Sequence, residues 1–263
     1  NAFEPSIGRC VSDGVAGARN DLAPAPSVDI ANGAPTGADA TDRIVLSWVD
    51  GERGLNKEDV RFTFSDDGGS TWAEVNEHVQ TGANDRGYYS APAISPNGTD
   101  VWLVYNAFLE PFKESTEGPD NDRPLVGVVL HADSTASGVG PFTEVHRGAV
   151  GDARGSSQNN LAAEFLGDYV YAAATRTYGA AVWNDVRAAA DCPEVDAYRQ
   201  ELHDAAVATG QQTAEAEEPR GEEEAAARGK TQEREEGVAP DVQQVCPLAF
   251  GNSDIFGGSW LNP

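Results

Sequence analysis

One eight-residue stretch, residues 65–72, constrains the fold more than any other part of this sequence. It reads Ser-Asp-Asp-Gly-Gly-Ser-Thr-Trp. Asp67 is placed to accept hydrogen bonds from the N–H groups of a tight turn, and Gly68 and Gly69 tolerate the positive φ angles that such a turn needs. The Thr-Trp pair that follows favours re-entry into a strand, with the indole as a packing wedge. The stretch therefore predicts a tight turn that leads into a β-strand.

The pattern Ser-x-Asp-x-Gly-x-Thr-Trp is matched at Ser65, Asp67, Gly69, Thr71 and Trp72. It resembles the Asp-box, or BNR repeat, of sialidases and related β-propellers. In that family the motif is structural and lies away from the active site. The resemblance implies an architecture of four-stranded antiparallel blades around a common axis, six of them in sialidases.

Strand-like segments recur in the same order along the chain, as expected of such repeats. Residues 1–24 read as the end of a preceding blade or a linker. The predicted blades are residues 25–87 with the Asp-box, residues 88–150 with a degenerate Asp-box at 134–140, and residues 151–263. The predicted strands are residues 27–31, 44–50, 59–64 and 73–79 in the first blade, 92–95, 101–105, 125–130 and 142–146 in the second, and 168–174, 180–185 and a strand from 254 in the third.

The predicted fold class is all-β: a partial six-bladed sialidase-like propeller of about three blades with an acidic insertion. The resemblance covers residues 25–187 and 247–263. A three-blade arc would leave open sheet edges and exposed apolar faces. We therefore expect the remaining blades to come from sequence upstream of residue 1 or from another chain, and we favour the upstream sequence.

Residues 188–246 interrupt the third unit. Pro193 suits the first turn of a helix, and four apolar residues share one helical face: Val195, Tyr198, Leu202 and Ala206. From residue 209 to 240 the sequence offers almost nothing to bury, which is typical of disordered or loosely helical chain. The insertion is either a solvated surface excursion or a lid or docking element.

Cys192 and Cys246 bracket this insertion, so a disulfide between them is predicted, with Cys10 left over. Three buried thiols in a cytosolic protein are the alternative. The cysteines fit no zinc spacing and the four histidines are scattered, so no metal site is predicted. The sequence contains no P-loop or dinucleotide fingerprint, and no cofactor is expected.

The formal net charge of −25 argues against nucleic acid and anionic membrane surfaces as partners. No apolar run is long enough to span a membrane. The acidic, lysine-poor composition suits either a secreted protein from a GC-rich genome or a protein that lives in high salt.

Sialidases hold the substrate carboxylate with three arginines, and they use a Tyr–Glu pair as nucleophile and an Asp as acid/base. Their substrate pocket lies on the face opposite the Asp-box. Topology places four candidate substrate-binding residues on that face: Arg53, Arg86, Arg154 and Arg187. Asp168 and Tyr169 are candidate catalytic residues. Alternatively, the arginines are surface or inter-blade residues, and Asp168 and Asp185 accept backbone hydrogen bonds that tie blades together.

The resemblance implies a secreted, exo-α-sialidase-like glycoside hydrolase that acts on a glycan or glycoconjugate. The Arg-Ile-Pro segment that usually introduces the first sialidase arginine is absent from this sequence. Two alternatives stay open: a non-catalytic propeller that binds a glycan or protein partner, and an extracellular structural or assembly protein.

Overall fold

The computed structural model describes residues 26–54, 56–115, 117–156, 161, 166, 170–209 and 238–263, together with the backbone of two short strands before residue 12. Residues 210–237 of the insertion lie outside the described residues, and so does the side chain of Cys10.

The described chain is mostly β-strand. Its strands are β1 (Ala2–Glu4), β2 (Arg9–Val11), β3 (Ser27–Ile30), β4 (Ile44–Asp50), β5 (Asp59–Ser65), β6 (Arg86–Ile94), β7 (Asp100–Phe108), β8 (Pro124–Thr135), β9 (Gly138–Val139), β10 (Thr143–Arg147), β11 (Gly151–Asp152), β12 (Tyr171–Ala174), β13 (Tyr178–Asp185) and β14 (Asp254–Leu261). Its helices are α1 (Pro193–Ala208) and α2 (Val242–Val245), with short 3-10 turns at Pro119–Asn121 and Ala153–Gly155.

The first sheet is the antiparallel meander β3-β4-β5. Along β4, Val45, Ser47 and Val49 are buried while their neighbours are partly exposed, because alternate side chains of a strand point to opposite faces. The fourth strand predicted at residues 73–79 is not formed as a strand. That segment runs beside β5 and donates backbone hydrogen bonds to it from Ala73, Asn76 and Val79, but it forms only one isolated β-bridge, Phe62 to Asn76.

The second sheet is the four-stranded meander β6-β7-β8-β10, and β9 and β11 also pair with β8. Its strand β7 is buried throughout. Val101, Leu103 and Tyr105 belong to a core shared with the first sheet. Trp102 and Val104 project from the other face into a core shared with the third sheet. The second sheet is therefore the middle layer of a three-sheet stack.

The third sheet, β12-β13-β14, is interrupted between β13 and β14 by the insertion that carries α1. As predicted, α1 begins at Pro193, with Cys192 as its N-cap residue. A disulfide joins Cys192 to Cys246, as expected, so the alternative of three free thiols is wrong. Of the predicted apolar face, Val195 and Ala206 are buried, whereas Tyr198 and Leu202 are only partly buried.

These three sheets and the separate β1–β2 pair are antiparallel, which confirms the all-β class. Within the described residues the sheets do not close into a ring, so a propeller is not established by the topology. The outer face of the third sheet exposes five large apolar residues: Tyr171, Tyr178, Val182, Ile255 and Leu261. No helix in the described part of the chain combines the length and the hydropathy that a bilayer crossing requires.

Candidate functional site

The stack has two ends. One, the Asp-box end, carries the turn at residues 65–72 that follows β5. The other, the arginine end, carries the connections β4–β5, β7–β8 and β13–β14. The arginine ends of neighbouring sheets meet, because Gly87 N–H donates to the Glu58 carbonyl (3.0 Å) and Asn106 Nδ2 donates to the Asn184 carbonyl (2.9 Å).

At the Asp-box end, Asp67 organises the turn. Asp67 Oδ1 accepts from the Thr71 N–H (2.8 Å), Asp67 Oδ2 accepts from Thr71 Oγ1 (2.7 Å), and Ser65 Oγ donates to Asp67 Oδ1 (2.9 Å). Gly68 and Gly69 have φ angles of 68° and 85°, which explains why the turn requires glycine there. The Trp72 side chain is 43% exposed, so it packs less completely than the sequence pattern suggested.

At the arginine end, Arg53 lies in the β4–β5 connection and pairs with Asp59. Its Nε and Nη2 both donate to the Asp59 carboxylate, which also contacts His78 Nδ1 at 2.7 Å. These hydrogen bonds raise the pKa of Arg53. Asp59 is buried, while the Arg53 side chain is 52% exposed. The pair therefore presents a neutralised guanidinium at the surface.

Arg187 follows β13 and pairs with Asp185, two residues earlier. Arg187 Nε donates to Asp185 Oδ1 (2.7 Å), and the guanidinium carbon lies 4.1 Å from the centre of the Phe256 ring. Burial opposes ionisation of Asp185, but hydrogen bonds from Arg187 and Trp183 outweigh it, so the pKa of Asp185 lies below its usual value. The position of the Arg187 guanidinium is thus fixed by the Asp185 carboxylate and the Phe256 ring.

Arg154 is buried in the short turn after β11. Its Nη2 donates to Asp152 Oδ2 (2.7 Å), and the same guanidinium lies 3.2 Å from Asp191 and 3.3 Å from Asp196. Because Asp191 precedes α1 and Asp196 lies on it, Arg154 attaches the insertion to the second sheet. The guanidinium therefore lies between the side chain of Asp152 on one side and those of Asp191 and Asp196 on the other.

Arg86, the first residue of β6, has a different environment. Its Nη1 donates to the Asn84 carbonyl (2.9 Å), and its Nε is buried with no hydrogen-bond partner. Among the described residues no carboxylate pairs with Arg86, in contrast to Arg53, Arg154 and Arg187.

The structure places the four arginines at one end, and three of them are held by separate aspartates. Asp168 and Tyr169 lie outside the described residues. Sequence reasoning missed the aspartate partners, although one signal was available. Asp-x-Arg occurs at Asp152–Arg154 and at Asp185–Arg187, where the arginine folds back onto the aspartate, and also at Asp59–Arg61, where Asp59 pairs with Arg53 instead.

No family model matches the chain, and no curated protein matches it. Among solved structures, it is similar to the Trypanosoma rangeli sialidase, with 12% sequence identity and a TM-score of 0.25. The aligned part covers 68% of this chain and 30% of that protein, so it spans less than a third of the sialidase. A similarity at this level does not assign the fold or the activity.

Proposed function

We propose that the chain is part of a secreted, sialidase-like glycoside hydrolase of the exo-α-sialidase type, which acts on glycans or glycoconjugates at the arginine end. The observation that carries the proposal is the Asp-box turn, with its Asp67 to Thr71 hydrogen bonds, set in a stack of antiparallel meanders. The disulfide supports secretion, because such bonds persist in oxidising compartments.

In this proposal Arg86 is the first contact for an anionic sugar. A carboxylate accepts hydrogen bonds from an arginine through two parallel N–H groups. The Nε of Arg86 is buried without a hydrogen-bond partner, so a sugar carboxylate that reached it after a shift of the side chain would supply the hydrogen bond that this N–H lacks. Arg53, Arg154 and Arg187 complete the proposed substrate-binding set, and Asp168 and Tyr169 are the proposed catalytic residues.

We also propose that further blades of the same kind pack against the two outer faces of the stack. These blades would be supplied by sequence outside residues 1–263 or by another chain. The apolar side chains exposed on the third sheet, such as Tyr171 and Ile255, support this assignment. A polar outer face would be expected if nothing packed there.

A second candidate function is glycan binding without hydrolysis. It is favoured by the pairing of Arg53, Arg154 and Arg187 with aspartates. A guanidinium that already donates to a carboxylate has less capacity to hold a second one, so these three arginines are better suited to shaping the surface. Arg86 alone would then supply the charged contact.

The test is hydrolysis of a fluorogenic α-sialoside by the whole secreted protein, combined with binding to immobilised sialylated glycans. We expect Arg86→Ala to reduce both signals. The matched control is Arg176→Ala, which removes an arginine between β12 and β13 at the Asp-box end. Binding without hydrolysis would select the second candidate. The absence of both signals would contradict both.

Among variants of the proposed catalytic pair, Tyr169→Phe is expected to abolish hydrolysis and to leave glycan binding nearly unchanged. A Tyr169→Phe protein that hydrolyses the sialoside at the wild-type rate would remove Tyr169 from the catalytic role.

A further inference from the structure

Two aspartates and a histidine meet at the Asp-box end, between the second and third sheets. In the β7–β8 register, Asp100 is opposite Asp133, and Trp102 is opposite His131. Residues that face each other across antiparallel strands share a face, and so do residues i and i+2 of one strand. Asp100, His131 and Asp133 therefore all project from the face that packs against the third sheet. One ligand atom from each lies within 4.8 Å of the other two.

The positions of His131 and Asp100 are fixed by their neighbours. His131 is 3% exposed and Asp100 is 8% exposed. Thr99 Oγ1 donates to Asp100 Oδ2 (2.6 Å), and the Trp102 indole meets the His131 ring edge-on with ring centres 4.9 Å apart. A site with two fixed ligands needs little reorganisation to accept an ion.

The spacing of the ligand atoms suits a single ion. His131 Nε2 and Asp100 Oδ1 are 3.0 Å apart. Two ligands at the usual Zn–N and Zn–O distances of about 2.1 Å are separated by about 3.4 Å in tetrahedral geometry and by about 3 Å in octahedral geometry, so binding of an ion requires at most a small shift of this pair. One imidazole and two carboxylates favour a transition metal such as Zn²⁺ over Ca²⁺ or Mg²⁺, which prefer oxygen ligands alone.

A cavity adjoins two of these three ligands, His131 and Asp133. Its volume is about 370 Å³, and its lining includes His131, Asp133 and the hydroxyl residues Thr135, Ser137 and Thr143. Asp133 is exposed, so an ion has a route from solvent. The cavity provides room for the water molecules that complete the coordination of an ion with three protein ligands.

We propose that Asp100, His131 and Asp133 form a binding site for one Zn²⁺-class divalent ion. No metal site is predicted from the sequence, because the histidines are scattered along it and the cysteines fit no zinc spacing. Here the register of β7 and β8 brings one histidine, His131, next to two carboxylates, Asp100 and Asp133. The competing explanation is a hydrogen bond between His131 and Asp100 that only ties β7 to β8.

The test is isothermal titration of the chelator-treated protein with ZnCl₂, with MnCl₂ and CaCl₂ as comparisons. The buffer should contain about 0.15 M salt to screen non-specific attraction of cations to this acidic chain. We expect one Zn²⁺ per chain, weaker Mn²⁺ binding and no stoichiometric Ca²⁺ binding. Binding of Ca²⁺ as tight as Zn²⁺ would overturn the assignment to a Zn²⁺-class ion.

Asp133→Asn is the decisive variant, because Asp133 is exposed and its replacement does not endanger folding. We expect it to weaken Zn²⁺ binding at least tenfold. The matched control is Glu110→Gln, which removes the same charge just beyond the opposite end of β7 and should leave the affinity unchanged. Equal Zn²⁺ affinities for these two variants, or no stoichiometric binding by the wild type, would overturn the proposal.

A second experiment replaces Zn²⁺ with Co²⁺ and records visible absorption spectra. We expect visible absorption bands of a bound Co²⁺ ion in the wild type, and their loss in His131→Gln. If His131→Gln fails to fold, the Asp133→Asn and Glu110→Gln comparison decides alone. Identical Co²⁺ spectra for the wild type and a folded His131→Gln variant would exclude His131 as a ligand.

Discussion

The indole of Trp183, on β13, lies directly over the backbone of Gly127, on β8. A Cβ atom built on Gly127 would lie 2.0 Å from Trp183 Cδ1. The relationship is reciprocal, because a Cβ on Gly179 of β13 would lie 2.2 Å from an indole carbon of Trp102 on β7. Each sheet thus contributes one tryptophan and one glycine. The two pairs set the spacing between the second and third sheets, since each glycine lets an indole approach the neighbouring backbone.

Replacing Gly127 by alanine is therefore expected to force the sheets apart. We expect Gly127→Ala to lower the free energy of unfolding by about 1–3 kcal/mol, the usual cost of overpacking a core. Urea unfolding followed by tryptophan fluorescence measures this change.

A double-mutant cycle with Trp183→Leu serves as the control for Gly127→Ala. The smaller side chain should make room for the added methyl group, so the two changes together should cost less than the sum of their separate costs. Strict additivity would show that Trp183 is not the group that excludes the methyl.

Much of the sheet structure could be predicted from the sequence. The predicted strand at residues 44–50 coincides with β4, because a short, mostly apolar run of this length favours a strand. The pattern was less informative for β7, which is buried on both faces, and its predicted strand ended at residue 105 instead of Phe108. At residues 73–79 a strand was predicted from repeat order alone, and the segment forms only one isolated β-bridge to β5.

Of the candidate site, the sequence predicts only the location, at one end of the sheets. Topology placed Arg154 and Arg187 at that end, and each pairs with an aspartate two residues earlier, but the burial of Arg154 depends on groups far apart in the sequence. Arg154 is enclosed because Asp191 and Asp196 arrive from the insertion. The cluster at Asp100 and His131 likewise depends on the register of two strands, which the local sequence does not specify.

The hydrogen bonds in the Asp67 turn predict that the Asp67 carboxyl group has a lowered pKa. The N–H of Thr71, and then the hydroxyls of Thr71 and Ser65, hold the pKa of Asp67 below its usual value. A carboxylate with a lowered pKa stabilises the turn above its unfolded pKa, and this contribution disappears as the pH falls through the folded pKa. We expect an NMR titration of the Asp67 carboxyl carbon to show a midpoint below that of an ordinary aspartate.

Thr71→Val separates the two kinds of hydrogen bond in this turn. It removes the hydroxyl donor but keeps the N–H donor, so the Asp67 midpoint should rise part of the way to the ordinary value. Ser70→Ala is the control, because Ser70 Oγ donates to the Asp67 carbonyl and not to its carboxylate. If both variants moved the midpoint equally, the assigned role of the Thr71 hydroxyl would be wrong.

The disulfide is expected to stabilise the docking of α1. Cys192 and Cys246 are 54 residues apart in sequence, and Cys192 packs with Val195 and Phe250 in a small core. Closing a loop of this length contributes about 4 kcal/mol in the chain-entropy model. The Cys192→Ser/Cys246→Ser protein should therefore lose amide protection in α1 by up to about a thousandfold.

Hydrogen exchange followed by mass spectrometry measures this loss segment by segment. Protection in β6 to β8 should be unchanged, because those strands form a separate core between the first and third sheets. Cys10→Ser is the control for removal of a thiol and should leave α1 protected. Unchanged exchange in α1 of the double variant would mean that side-chain packing alone holds the helix.

Asp196 makes the stability of the α1 attachment depend on pH. Burial is the main cause that raises the pKa of Asp196 to about 8, and a hydrogen bond and repulsion from Asp191 add to it. The folded protein therefore keeps a proton on Asp196 that the unfolded chain, with a pKa near 3.8, has already released. Where the folded state binds more protons, the free energy of unfolding falls as the pH rises. This contribution to stability is present at low pH and is lost as the pH approaches 8.

Asp196→Asn removes this titration and keeps the shape of the protonated side chain. Relative to the wild type, its Tm should gain progressively between about pH 5 and pH 8 and then level off, because above the folded pKa both states of the wild type are ionised. Asp204→Asn, an exposed carboxylate on the same helix, should show a constant difference across this range. A constant difference for Asp196→Asn as well would mean that Asp196 is ionised in the folded protein at every pH tested. In that case the Arg154 guanidinium, 3.3 Å from Asp196 Oδ2, would outweigh the desolvation of the carboxyl group.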